Sequence, residues 1–173
     1  MKQILMLAAI AMASMTASAQ LWVGGNIGYN YNDNGAGTET SYLSISPEIG
    51  YSLSDKWDLG LNFDYEMGKV KKGATIHEFS FNPYARYTFA KSGIASFFID
   101  GGLRFGAHKV KNGGDADVIF GFGFQPGIAL HVSDRVSLVT KIGSLGYRRV
   151  GDASTVGFNV NNEAITFGAY YSF

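Results

Sequence analysis

The chain has 173 residues with 14 basic against 14 acidic side chains, 23 Gly, three Pro, no Cys, and 13 Phe, 10 Tyr and 2 Trp. Balanced charge provides no field to gather nucleic acid, and without thiols neither disulfides nor thiolate metal sites can hold the fold. Stability must come from packing or from a membrane.

Lys2, the apolar run from Ile4 to Met12 and the small residues Ala17-Ser18-Ala19 read as a secretory signal peptide with an A-x-A-type cleavage site. The run is too short for a membrane-spanning helix, which needs ~20 apolar residues. The expected division is a signal peptide over 1–19 and one mature domain over 20–173. Loss of Lys2 leaves 13 basic against 14 acidic residues.

From there the chain alternates at period two, the mark of strands with unlike faces. Leu21, Val23, Gly25, Ile27 and Tyr29 alternate with Trp22, Gly24, Asn26, Gly28 and Asn30, and Asn32 to Gly37 reads as a loop. Leu43 to Leu53 is the second strand, with Pro47 on its apolar face at the cost of a ladder hydrogen bond unless the strand bulges. Ser54-Asp55-Lys56 turns into Trp57 to Met67, the cleanest two-faced strand. A lysine-bearing loop, Gly68 to Thr75, precedes Phe79 to Phe89, and Lys91-Ser92-Gly93 turns into Phe97 to Phe105.

Lys109 to Asp115 is the next loop, Val118 to Leu130 the sixth strand and Ser133-Asp134-Arg135 its turn. Val136 to Tyr147 is the weakest strand. Its apolar face blurs at Ser144-Leu145, where a bulge or register shift is expected. Arg148 to Thr155 reads as a loop. Val156 then leads through the polar patch Asn159 to Glu163 into a closing strand, in which Ile165, Phe167, Ala169, Tyr171 and Phe173 alternate with Thr166, Gly168, Tyr170 and Ser172.

Eight strands are expected, with short turns at one end and four loops of about 7 to 10 residues at the other. The less apolar face decides their setting. It holds Gly, Ser and Asn with sparse charges, whereas a sheet facing water would carry Lys, Glu and Thr. That composition fits the inside of a narrow barrel, and the many rings fit girdles at membrane interfaces. The fold class expected is therefore all-β, an eight-stranded antiparallel up-and-down transmembrane barrel; a soluble sandwich or lipocalin-like barrel is the alternative.

The leader, Tyr51-Ser52-Leu53-Ser54-Asp55-Lys56-Trp57, Asn82-Pro83-Tyr84-Ala85-Arg86-Tyr87 and Ala169-Tyr170-Tyr171-Ser172-Phe173 resemble the small bacterial outer-membrane β-barrel domain family, of the OmpX and OmpA-transmembrane-domain type, often loosely called porins. The resemblance implies residence in the outer membrane. It also implies that Ile165, Phe167, Ala169, Tyr171 and Phe173 form the C-terminal signal read by the barrel-assembly machinery.

Two groups of residues are candidates for function. Glu48, Asp64, Glu66, Arg86, Asp100, Arg104, Gln125 and Lys141 are expected to form a polar network inside the barrel, with Arg86 opposite Asp100 and Gln125 opposite Lys141. Lys69, Lys71, Lys72, Lys109, Lys111, Arg148 and Arg149 are expected at an outer rim able to meet lipopolysaccharide phosphates. His131-Val132-Ser133 has the His-x-Ser spacing of a lipid A deacylase but falls in a turn at the opposite end, and His77 and His108 lack a nucleophile. No metal-ligand spacing or cofactor fingerprint appears. The expected function is non-catalytic, monomeric and membrane-stabilising, with loops presented outward to envelope or extracellular partners. A narrow porin-like channel and, less favoured, a lipid A-modifying enzyme are the alternatives.

Overall fold

Period-two alternation yields strands only: in the computed structural model, which describes residues 20–33, 39–70, 73–111, 113–159 and 165–173, every regular element is a strand. The expected signal peptide lies outside the described residues. The strands are β1 (Gln20–Asp33), β2 (Glu39–Ser52), β3 (Trp57–Val70), β4 (Thr75–Ser92), β5 (Ala95–Val110), β6 (Asp117–His131), β7 (Val136–Ile142), β8 (Ser144–Val150), β9 (Ala153–Asn159) and β10 (Ile165–Ser172). Antiparallel neighbours run from β1 through β6, β6 pairs with both β7 and β8, and β10 joins β7 to β1. Because β7 with β8, and β9 with β10, each make one long wall segment, the closed barrel has eight strands.

The break between β7 and β8 is at Gly143, whose φ is 69°. Lys141 pairs with Gly127, but Leu145 pairs with Phe124, so the register moves by one residue across the glycine. That slip exchanges inward and outward positions, which is why the alternation blurs at Ser144-Leu145. Pro47 behaves differently. The β2–β3 ladder lapses at Ser46 and Pro47 and resumes at Glu48–Asn62 in unchanged register, while β1 still pairs with Pro47 through Gly25.

The outer end departs from expectation. Arg148 to Thr155 is a hairpin and not a loop: β8 and β9 pair from Ser144–Asn159 to Val150–Ala153 around Gly151 at φ 56°. The other connections there, 34–38, 71–74 and 111–116, are also shorter than the expected loops, because β1 to β5 run 14 to 18 residues. Polar strand ends that read as loop are paired backbone.

Burial is inverted relative to a protein in water. Glu48, Asp64, Glu78, Arg86, Asp100 and Lys141 are buried, whereas Leu59, Phe63, Phe81, Phe122, Phe124 and Phe167 are exposed. Hydrocarbon outside and paired charges inside reconcile the two. On β3 the outward row runs Trp57, Leu59, Leu61, Phe63, Tyr65, and β4 matches it with Tyr87, Ala85, Pro83, Phe81 and Phe79. Trp57 to Met67, at ~3.3 Å per residue and ~40° of tilt, rises about 25 Å, the height of the apolar band of such barrels. The band begins at the short turns, so the strands overhang it at the other end.

Candidate functional site

Even-numbered residues of β1 to β5 (in β4 up to Thr88, before a one-residue register shift ahead of Ala90) and of β10, and odd-numbered residues of β6 and β7, face the lumen, where they form two layers. In the layer nearer the short turns, Glu48 is the hub. Its Oε1 accepts from Lys141 Nζ at 2.7 Å, Asn62 Nδ2 at 3.1 Å and Asn26 Nδ2 at 2.5 Å, and its Oε2 accepts from the Tyr84 and Tyr170 hydroxyls at 2.6 and 2.7 Å. Beside it Arg86 grips Asp100 bidentately, Nε to Oδ1 at 2.7 Å and the terminal amino group to Oδ2 at 2.9 Å. Lys141 lies 3.4 Å from Asp100 as well, so two cations and two carboxylates balance in one buried cluster.

Rings enclose that cluster. The Arg86 guanidinium lies 3.8 Å from the centroid of Phe98, which is 1% exposed, and Trp22 stacks on Tyr170 at 4.7 Å and 11°. Each ring rests where a neighbouring strand has no side chain. A Cβ on Gly50 would fall 2.0 Å from Trp22, on Gly24 2.1 Å from Tyr170, on Gly60 2.3 Å from Tyr84 and on Gly127 2.3 Å from Phe98. Inside the barrel glycine and ring therefore go together: these four rings fill the bore by lying on bare backbone.

Toward the outer end the packing opens. Arg104 contacts Asp64 at 2.6 Å, Glu66 at 3.4 Å and Glu78 at 3.7 Å, and Asn82 donates to Asp64 at 2.6 Å. Arg148 and, at 3.4 Å, His108 complete the set around Glu78. A cavity of about 650 Å³ occupies this half, lined among others by Ser44, Asp64, Asn82 and Arg104 and bounded by Tyr84, Glu48 and Lys141. Glu78 Oε1 in this half, and Asn26 Oδ1 and Thr166 Oγ1 at the level of Glu48 and Lys141, are buried without a hydrogen bond.

Of the residues singled out in the sequence, Glu48, Asp64, Glu66, Arg86, Asp100, Arg104 and Lys141 meet in these layers, and Arg86 stands opposite Asp100. Gln125 does not stand opposite Lys141. The turn between β6 and β7 closes with Val132 and Ser133 amides on the Val136 carbonyl and Ser133 Oγ accepting from the Val136 amide, which sets Gly127 against Lys141 and Gln125 against Asp100. Tyr84, Tyr170, Asn26, Glu78 and the four ring-bearing glycines were not foreseen, though all share the inward parity of the residues that were.

The proposed rim divides. Lys69, Lys109, Lys111 and Arg149 are exposed, and Lys71 and Lys72 lie outside the described residues. Arg148 turns inward to Glu78, a correction forced by the register slip at Gly143. In the closing strand Phe167, Ala169, Tyr171 and Phe173 are exposed, and Tyr171 packs edge-on to Phe173 at 5.2 Å; the side chain of Ile165 lies outside the description. His131 bonds Ser96 at 2.8 Å and Ser137 at 2.9 Å while Ser133 caps its own turn, so the His-x-Ser spacing forms no dyad.

The sequence profile of the outer membrane protein β-barrel domain matches residues 4–173. The chain belongs to that family. It is thus a protein of the bacterial outer membrane. No curated protein matches it in sequence. Among solved structures, this outer-membrane barrel is similar to Neisserial surface protein A, at 16% identity and TM-score 0.52 over 89% of this chain and 92% of the other. It is similar also to OprG from Pseudomonas aeruginosa, at 14% identity and TM-score 0.51 over 90% and 95%. Ail from Yersinia pestis matches at 15% identity and TM-score 0.50 over 90% and 98%. At these identities the likeness establishes the shared fold.

Proposed function

We propose that this protein is a closed, non-catalytic, monomeric barrel that stabilises the outer membrane and acts through the surface its overhanging strands present outward. The layer of Trp22, Tyr84, Phe98 and Tyr170 around the Arg86–Asp100 and Lys141–Glu48 pairs supports this reading, because an eight-stranded bore is only wide enough for its own side chains. The outer cavity is the feature that favours a narrow channel instead, but the ring layer lies between it and the short turns. Lipid A chemistry finds no support, since His131 is occupied by Ser96 and Ser137. The partners in this reading are membrane lipid and lipopolysaccharide and, during insertion, the barrel-assembly machinery reading the C-terminal strand. Purified protein in planar bilayers tests it. No steady unitary current is expected at moderate voltage; a reproducible open level would favour the channel.

A further inference from the structure

At the overhanging end the outward face of β3, β4 and β5 carries bases, while the acids turn inward to Arg104, Arg148 and His108. On β3, β4 and β5 the acids Glu66 and Glu78 share the inward parity, while Lys69, His77 and Lys109 share the outward parity of the aromatic row below them. His77 stands directly across from Lys109 on one side and Met67 on the other. One row farther out, Lys69 stands across from Thr75, whose carbonyl accepts the Lys111 amide at 2.7 Å. The bases therefore occupy two adjacent rows on three adjacent strands. Just below them lie Tyr65 and Phe79, the last aromatic positions of the apolar band.

Lys69, Lys109 and Lys111 make no ion pair among the described residues, in contrast with Arg149, which is tied to the Gly151 carbonyl at 2.8 Å and lies 3.6 Å from Asp152. His77 is fixed by Tyr65, whose hydroxyl meets Nδ1 at 2.9 Å. With Tyr65 donating, the neutral ring carries its proton on Nε2, a further donor in the patch. Uncompensated cations next to a hydrocarbon band, on the outer side of the membrane, lie where headgroup phosphates lie.

We propose that Lys69, His77, Lys109 and Lys111 form a binding site for the phosphates of a lipid A headgroup in the outer leaflet. Lipid A suits the patch better than a phospholipid because its phosphates are carried on a wide sugar headgroup, and the patch spans three strands. The site takes the long-strand end to face outward, as the short turns at the opposite end require.

The test is titration of the nanodisc-embedded protein with bisphosphorylated lipid A, dephosphorylated lipid A and phosphatidylglycerol, read by native mass spectrometry. At about fivefold per lysine near an anionic surface, the triple variant Lys69→Gln, Lys109→Gln, Lys111→Gln should bind bisphosphorylated lipid A roughly 100-fold more weakly. The corresponding triple Lys→Arg variant should retain binding, which separates loss of charge from loss of fold. Dephosphorylated lipid A should bind wild type no better than it binds the Gln variant. Equal binding of phosphatidylglycerol, or binding unchanged in the Gln variant, overturns the proposal. Loss with Lys56→Gln, in a short turn, would place the bound lipid A at the opposite end of the barrel and overturn the site as well.

Discussion

Arg86 and Asp100 sit sealed beneath Phe98 at one end of the lumen, whereas Arg104 at the other end spreads its guanidinium over three carboxylates beside a cavity of about 650 Å³. The same chemistry of base and acid serves two purposes. In the sealed layer every charge has a partner at hydrogen-bond distance, as burial demands, and rings supply the remaining contact surface. In the open layer geometry is looser: Arg104 reaches Glu66 and Glu78 only at 3.4 and 3.7 Å and keeps 29% of its side chain exposed. Closure and access are thus properties of different halves of one short bore.

The comparison breaks most severely at Glu48. Glu48→Ala leaves Lys141 buried without its nearest carboxylate and strips the acceptor from two tyrosines, at an expected cost of ~3 to 5 kcal/mol. Denaturant unfolding in detergent micelles, followed by tryptophan emission, measures it. Next comes the ring layer's support. Gly50→Ala drives a methyl into Trp22 and should cost ~1 to 3 kcal/mol by overpacking, whereas Gly157→Ala, with nothing within 4 Å of its Cβ position, should stay within ~0.5 kcal/mol. Thermal unfolding of the two variants side by side would show whether glycine matters for its place under a ring or merely for being in a strand. The smallest effect in a charged residue belongs to the open half: Arg104→Ala should cost only ~1 kcal/mol, because water can enter to solvate Asp64 and Glu66. A loss as large as that of Glu48→Ala would show that the two layers are equally dry.

The alternation that defines the strands is legible because a lipid-facing wall needs apolar residues at every second position, whereas the Arg86–Asp100 pair depends on a one-residue register shift between Thr88 and Ala90, without which the two-residue turn at Gly93 and Ile94 would set Arg86 against Gly101. Gln125 was misplaced because the β6–β7 connection has four residues held by Ser133, and side-chain capping of a turn is not visible as periodicity. The β8–β9 hairpin reads as a loop in sequence because Gly151, Asp152, Ser154 and Thr155 have turn-forming composition, yet only Gly151 and Asp152 form the turn, and Ser154 and Thr155 pair with Arg149 and Arg148. Arg148 went to the wrong face for a similar reason: a single positive-φ glycine at 143 reverses parity for everything that follows it in the strand. Ring-on-glycine contacts were beyond reach of composition, since Trp22 on Gly50 depends on the β1–β2 register.

The sealed ring layer is tested most directly by sidedness of access, for which a chain without native cysteine is well suited. Ser44 lines the outer cavity, and Ser52 lies on the inward face of the same strand beyond Trp22 and Gly50, toward the short turns. With Ser44→Cys and Ser52→Cys placed singly in barrels inserted in one direction into sealed vesicles, a small charged thiol reagent should modify each cysteine from one side only, and from opposite sides. Modification of either cysteine at similar rates from both sides would mean that the lumen is continuous and the barrel is a pore.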